Sequence, residues 1–103
     1  MEILSYNENE MKEKNFREEK KKLMELFKRS AQIVSTYLSV LNNKERGVVE
    51  RRFGLTTGKR MTLDAIGKED GCTRENIRQI ESKAIKKMLK FYSELTSELT
   101  KNV

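Results

Sequence analysis

The stretch TLDAIGKEDGCTRENIRQIESKAIKKM, residues 62–88, decides the fold. Apolar residues recur at helical spacing on both sides of a polar break, EDGC, at residues 69–72. Thr62 and Thr73 each stand where a helix N-cap is expected. The pattern predicts two helices joined by a tight turn, the second longer and basic, as in a helix-turn-helix. With no strand pattern elsewhere in the chain, the fold class is all-α.

The first two turns of the second predicted helix carry side chains suited to reading DNA bases. Arg74 and Arg78 lie one turn apart on one face, and Glu75 and Gln79 share the adjoining face. In a major groove, Arg recognises guanine, Gln bridges adenine and Glu accepts from cytosine. We expect these four residues to read bases. Thr73 and the backbone amides at the helix start are suited to hold a phosphate.

Positive charge is concentrated in the same helix. The chain has a net charge of +6, of which +5 falls in residues 42–103 and +1 in residues 1–41. Residues 74–90 hold six basic and two acidic residues, a net charge of +4. The four lysines between residues 83 and 90 would add salt-dependent affinity for a polyanion. The alternative is that these lysines form a solvated helix face.

A second amphipathic segment precedes the helix-turn-helix. In residues 13–41, a 4-3-4-3-4 spacing places six residues on one stripe: Leu23, Phe27, Ser30, Val34, Tyr37 and Leu41. The spacing predicts one long amphipathic helix. Its apolar face would pack on the rest of the domain or form an intermolecular contact.

Capping signals divide the remainder of the chain. Asn42 with Glu45 predicts a capping box, and Gly54 predicts the end of the short helix that follows. The last helix would bury one side, including Leu95, and Cys72 would be a small buried hydrophobe. The predicted organisation is a flexible N-terminus (1–12), the long helix (13–41), a helix-turn-helix domain (42–95) and a C-terminal tail (96–103).

The composition excludes several classes of function. The 103 residues include no His and a single Cys, which removes Cys–His zinc sites, His-based triads and Cys–His nucleophilic pairs. We therefore expect no enzyme, no metal and no cofactor. A lone Cys favours a reducing cytoplasm. No apolar run approaches the ~20 residues of a membrane span, so we expect no membrane partner.

The motifs resemble a known family. VVERRFGL (48–55) followed by TLDAIGKEDGCTRENIRQIESKAIKKM (62–88) is similar to region four of the bacterial housekeeping-type sigma factors, over about residues 38–92. The resemblance implies a helical domain that reads the minus-35 promoter element and docks on the flap of the RNA polymerase β subunit. It also implies action in the bacterial cytoplasm, with the gene chromosomal or carried by a phage.

The resemblance also implies roles for single residues. The base-reading positions are again Arg74, Glu75, Arg78 and Gln79. Four positions would lie near the DNA backbone or the upstream edge: Arg52, Thr62, Leu63 and Lys83. Two would face the polymerase flap, Phe53 and Met88.

Three positions depart from the family pattern. Asn76 stands where the family usually has Arg or Lys, which removes one phosphate contact and about one unit of salt slope. Asp70 replaces a bulky apolar residue that packs the turn, and Cys72 replaces a Val. The residue types at 70 and 72 predict a looser corner between the two helices.

Several functions fit these residues. The first is a free-standing promoter- and polymerase-binding protein, either half of a split sigma factor or a small regulator. The second is a region-four mimic that binds polymerase, a sigma subunit or an anti-sigma factor without reading DNA. A dimeric repressor that associates through the 13–41 helix is the third. A fragment of a longer sigma factor is a further alternative.

Overall fold

The computed structural model describes the backbone of residues 8–101 and the side chains of residues 16–98. Within that part of the chain all regular structure is helical, in agreement with the predicted all-α class. The helices are α1 (Glu8–Phe27), α2 (Ala31–Leu38), α3 (Asn43–Phe53), α4 (Leu63–Asp70) and α5 (Arg74–Lys101). None of them is both long and apolar enough to cross a bilayer.

The predicted caps of the helix-turn-helix region are confirmed. The Asn42 Oδ1 accepts from the Glu45 N–H at 2.8 Å, and the Glu45 carboxylate accepts from the Asn42 N–H at 3.0 Å. Thr62 caps α4 through the Ala65 N–H, with an N···O distance of 3.1 Å. Gly54 ends α3 in the left-handed conformation, with φ of 66°. The sequence alone therefore located where α3 starts and ends and where α4 starts.

Two apolar clusters hold the helices together. The smaller cluster lies beneath the helix-turn-helix and is formed by Val48, Ile66 and Ile77, each fully buried. The larger cluster joins α1 and α2 to α3 and α5. Its buried members are Leu23, Phe27, Tyr37, Leu41, Val49, Phe53, Ala84, Ile85 and Met88.

The predicted single helix over 13–41 is wrong. The chain forms α1 and α2, separated by residues 28–30. Ser30 has an extended backbone (φ −164°, ψ 135°) and its side chain accepts from the Gln32 N–H at 3.1 Å. The hydroxyl residue assigned to the apolar stripe is thus the N-cap of a new helix. The break folds α2 back, and Phe27 and Tyr37 meet edge to face, with ring centroids 5.6 Å apart.

The predicted N-terminal and C-terminal segments, residues 1–12 and 96–103, also need correction. Residues 8–12 belong to α1, and the rest of the predicted flexible N-terminus lies outside the described residues. The predicted tail is helical as far as Lys101, because α5 continues without a break. Leu95 is 41% exposed rather than buried, so the apolar stripe of α5 ends before it. Cys72 is half-buried against the smaller cluster.

Candidate nucleic-acid interface

A three-residue turn fixes the angle between α4 and α5. Gly71 caps α4 with φ of 66°, a left-handed conformation that glycine adopts without steric cost. The Cys72 N–H then donates to the Gly67 carbonyl, with an N···O distance of 2.8 Å. Thr73 caps α5 by accepting from the Asn76 N–H at 3.1 Å, as predicted. The turn thereby presents the first residues of α5 at the protein surface.

The four predicted base-reading residues lie together on that surface. Arg74, Glu75, Arg78 and Gln79 are all exposed, whereas Ile77 is fully buried on the opposite side of the helix. Burial of one side of α5 in the smaller cluster therefore turns the predicted readout set outward. A helix with this distribution can enter a major groove with its first two turns.

An ion pair orders two of these side chains. The Arg78 guanidinium donates twice to the Glu75 carboxylate, with distances of 2.9 Å from Nε and 2.6 Å from Nη2. The hydrogen bonds from Arg78 lower the pKa of Glu75, so its carboxylate is ionised and acts only as an acceptor. The pair holds the guanidinium along the helix surface before any ligand binds.

The predicted backbone contacts divide into two groups. Thr62, Thr73 and Lys83 are exposed on the helix-turn-helix surface. Leu63 is half-buried and packs on the smaller cluster. Arg52 is turned inward: its Nη1 donates to the Met61 carbonyl at 3.1 Å. Three of these five residues are therefore exposed to solvent.

A comparison with protein families identifies the domain. The family model described as sigma-70, region 4 matches residues 37–90, which is 54 of the 103 residues and more than half of the chain. The chain belongs to the sigma-70 region 4 family. Members are DNA-binding helix-turn-helix domains that act in transcription initiation, and the family is not one of enzymes. The match starts within α2 and ends within α5, so the whole of α1 lies before the matched residues.

The two predicted flap contacts of the region 4 domain are not at its surface. Phe53 is 9% exposed and Met88 is fully buried, both within the larger cluster. Phe27 of α1 packs on Phe53 with ring centroids 5.9 Å apart. Sequence comparison with the family could not reveal that Phe27 covers Phe53, because α1 precedes the matched residues.

The lysines of α5 are divided between internal and external roles. Lys83, Lys86 and Lys90 are exposed. Lys87 donates to the buried Glu45 carboxylate at 2.8 Å. Because Glu45 belongs to the capping box of α3, this bond links the start of α3 to α5. Burial by itself would raise the pKa of Glu45, but the hydrogen bonds from Lys87 and the Asn42 N–H outweigh it and lower that pKa. Within residues 83–90, Lys87 is therefore the lysine that pairs with a buried carboxylate, although its own side chain is 47% exposed.

Arg51 is a structural residue that sequence reasoning missed, and it corrects the predicted looser corner. Its guanidinium makes a bidentate pair with Asp70 (2.8 and 2.9 Å) and reaches Glu69 at 3.0 Å. These bonds join α3 to the end of α4. No local pattern in one sequence signals a pair separated by 19 residues.

The Arg51–Asp70 pair makes stability depend on pH. The hydrogen bonds from Arg51 lower the pKa of Asp70 below its ordinary 3.8. The pair therefore contributes to the free energy of unfolding above about pH 4, and this contribution is lost as pH falls through the lowered pKa of Asp70 in the folded state. We expect D70N to lower the free energy of unfolding at pH 7 by about 1 kcal/mol.

Urea denaturation at several pH values checks this prediction. The difference between D70N and the unsubstituted protein should shrink as pH falls below about 4, because protonation of Asp70 in the folded state removes the charge that Arg51 binds. E18Q, which removes an exposed carboxylate on α1, is the matched control and should have little effect. A deficit of D70N that does not shrink at any acidic pH at which the protein is still folded would contradict the electrostatic explanation.

Proposed function

We propose that this protein is a stand-alone region-four-like transcription factor that binds the minus-35 promoter element and the RNA polymerase β flap together. It would act on initiation as one half of a split sigma factor or as a small regulator. Promoter and polymerase meet in the bacterial cytoplasm, so the protein would act there, whether its gene is chromosomal or carried by a phage.

One observation carries the DNA part of the proposal: the complete readout set is exposed on the first two turns of α5. Arg74, Arg78 and Gln79 supply donors for purine edges, and Glu75 supplies an acceptor. The exposed Thr62, Thr73 and Lys83 lie on the same helix-turn-helix and are suited to contact phosphates that set the register. A protein that bound polymerase alone would have no physical need for this mixed set.

Polymerase binding would use Phe53 and Met88, the two positions that the resemblance assigns to the flap. Both are buried within the larger cluster, so a partner would reach them only after a covering segment moves. A region 4 domain that read DNA without contacting polymerase would not recruit it. The flap contact is therefore the second half of the proposed function.

The alternatives give different results in one experiment. Tagged full-length protein is incubated with core polymerase, or with core polymerase lacking the flap tip, and with a minus-35 duplex or a scrambled duplex. The proposal predicts capture of intact core alone and at least tenfold preference for the minus-35 duplex.

Capture of core without DNA preference would instead support a mimic. DNA preference without capture would support a repressor. The buried Leu23 and Phe27 give no support to the dimer through the 13–41 segment, because these apolar side chains pack within the same chain.

A further inference from the structure

Helix α1 lies over the apolar surface of the region 4 domain. Leu23 and Phe27, one helical turn apart, are 2% and 6% exposed and belong to the cluster that contains Phe53 and Met88. The surface proposed above for polymerase is therefore occupied by a segment of the same chain. Any partner that binds there must first displace α1.

Lys20 of α1 forms an ion pair with this surface. The Lys20 Nζ lies 3.1 Å from the Glu81 Oε2 and 5.9 Å from the centroid of the Phe53 ring. Glu81 is 5% exposed and also has the Arg52 Nε at 2.9 Å. When α1 leaves, Arg52 remains beside the carboxylate, so opening does not leave a buried charge without a counterion.

Helix α1 combines an apolar face, which packs on the larger cluster, with many charged residues. Of the 20 residues of α1, six are basic and six are acidic. Open grooves of about 530 and 230 Å³ lie on either side of the helix, against Leu89 and Tyr92 of α5 and against Phe53 and Leu55. Among the α1 side chains that the structure describes, Leu23 and Phe27 are buried, and Phe16, Met24 and Leu26 are partly buried against the larger cluster. A segment attached through a few side chains can open at a lower free-energy cost than unfolding of the whole domain.

We propose that α1 is a displaceable latch that competes with the polymerase flap for this surface. In the free protein α1 is closed. On polymerase, a helical segment of the flap replaces it. The pattern of α1 defines the partner: a cation at one position and apolar side chains three and seven residues later, as Lys20, Leu23 and Phe27 present them. This inference rests on the proposed flap contact.

The substitution K20E tests the latch, because it places a carboxylate beside the buried Glu81. K21E is the matched control: Lys21 is the next residue, is exposed, and undergoes the same change of charge. Full-length variants are titrated with core polymerase, with circular dichroism to check helical content. If closure limits binding, the apparent affinity of K20E for core rises at least fivefold, while K21E binds as the unsubstituted protein does.

Two other outcomes are distinguishable. If all proteins bind core and K20E binds no more tightly than K21E, the latch is overturned and the proposed function stands. If no variant binds core, the proposed function fails and the latch fails with it. Hydrogen exchange provides an independent measurement: core polymerase should increase exchange of the α1 amides, and unchanged or slower exchange there overturns displacement.

Discussion

Replacing Gly67 with alanine is expected to destabilise the fold by about 1–3 kcal/mol, the usual range for forcing an extra carbon into a packed site. A Cβ at this position would lie 2.7 Å from the carbonyl oxygen of Cys72. That oxygen is a backbone atom in the turn between α4 and α5, so it cannot move without changing the angle of α5. DNA affinity should therefore fall together with stability.

Gly47 provides a matched control within a helix. The nearest atom to a Cβ built there is the Arg51 Nη2, at 3.7 Å, which is an ordinary contact. G47A should stabilise the protein by roughly 0.5–1 kcal/mol, because alanine favours a helix interior over glycine. Urea denaturation followed by circular dichroism measures both variants. Equal stabilities for G67A and the unsubstituted protein would show that the turn is not closely packed.

The second large effect concerns sequence readout. R78A should lose about 1–3 kcal/mol of binding to a minus-35 duplex, a factor of roughly 5–150 in Kd, and should lose preference at one base position. Arg78 is exposed on the second turn of α5 and is held in place by Glu75. Removing it deletes the guanidinium that would grip a guanine edge and leaves a carboxylate facing the groove.

K83A separates readout from general electrostatic attraction. Lys83 lies farther along α5 and is exposed, where it would meet a phosphate rather than a base. Its removal should lower the affinity for the minus-35 duplex and for the scrambled duplex by the same factor. It should also lower the salt slope of binding by about one unit. Fluorescence anisotropy at two or more salt concentrations measures both quantities. A loss of R78A affinity that is identical on the two duplexes would contradict base reading by this residue.

Local chemistry made much of this fold predictable. Caps at Asn42, Thr62 and Thr73 depend on hydrogen bonds between residues three apart, so a single sequence contains the whole signal. The same is true of the readout set, whose exposure follows from the buried Ile77 on the other side of α5. These elements require no knowledge of the rest of the chain.

Distant pairings were not predictable in the same way. Ser30 fits the apolar spacing and also caps a helix, and only the fold-back of α2 onto Phe27 decides between the two roles. Asp70 pairs with Arg51, and Glu81 lies beside Arg52 and Lys20. The residues of these pairs are too far apart in the sequence for helical periodicity to predict them. Ion pairs of this kind depend on how the helices pack against one another.

The burial of the predicted flap contacts, Phe53 and Met88, also depends on residues distant in the sequence. The resemblance assigns a role to Phe53 and Met88 from their places in the family motif. Phe53 is covered by Phe27 of α1, and the whole of α1 lies before the matched residues. A family motif can thus indicate what a surface binds without showing that another segment of the same chain covers it.

Footprinting of a promoter fragment with core polymerase and the full-length protein tests the central claim most directly. The proposal predicts protection over the minus-35 element that requires both components. With R78A, this protection should disappear while the protein is still captured by polymerase. Polymerase capture with no minus-35 protection at low salt would contradict the claim, because the exposed readout set on α5 would then have no role in promoter recognition.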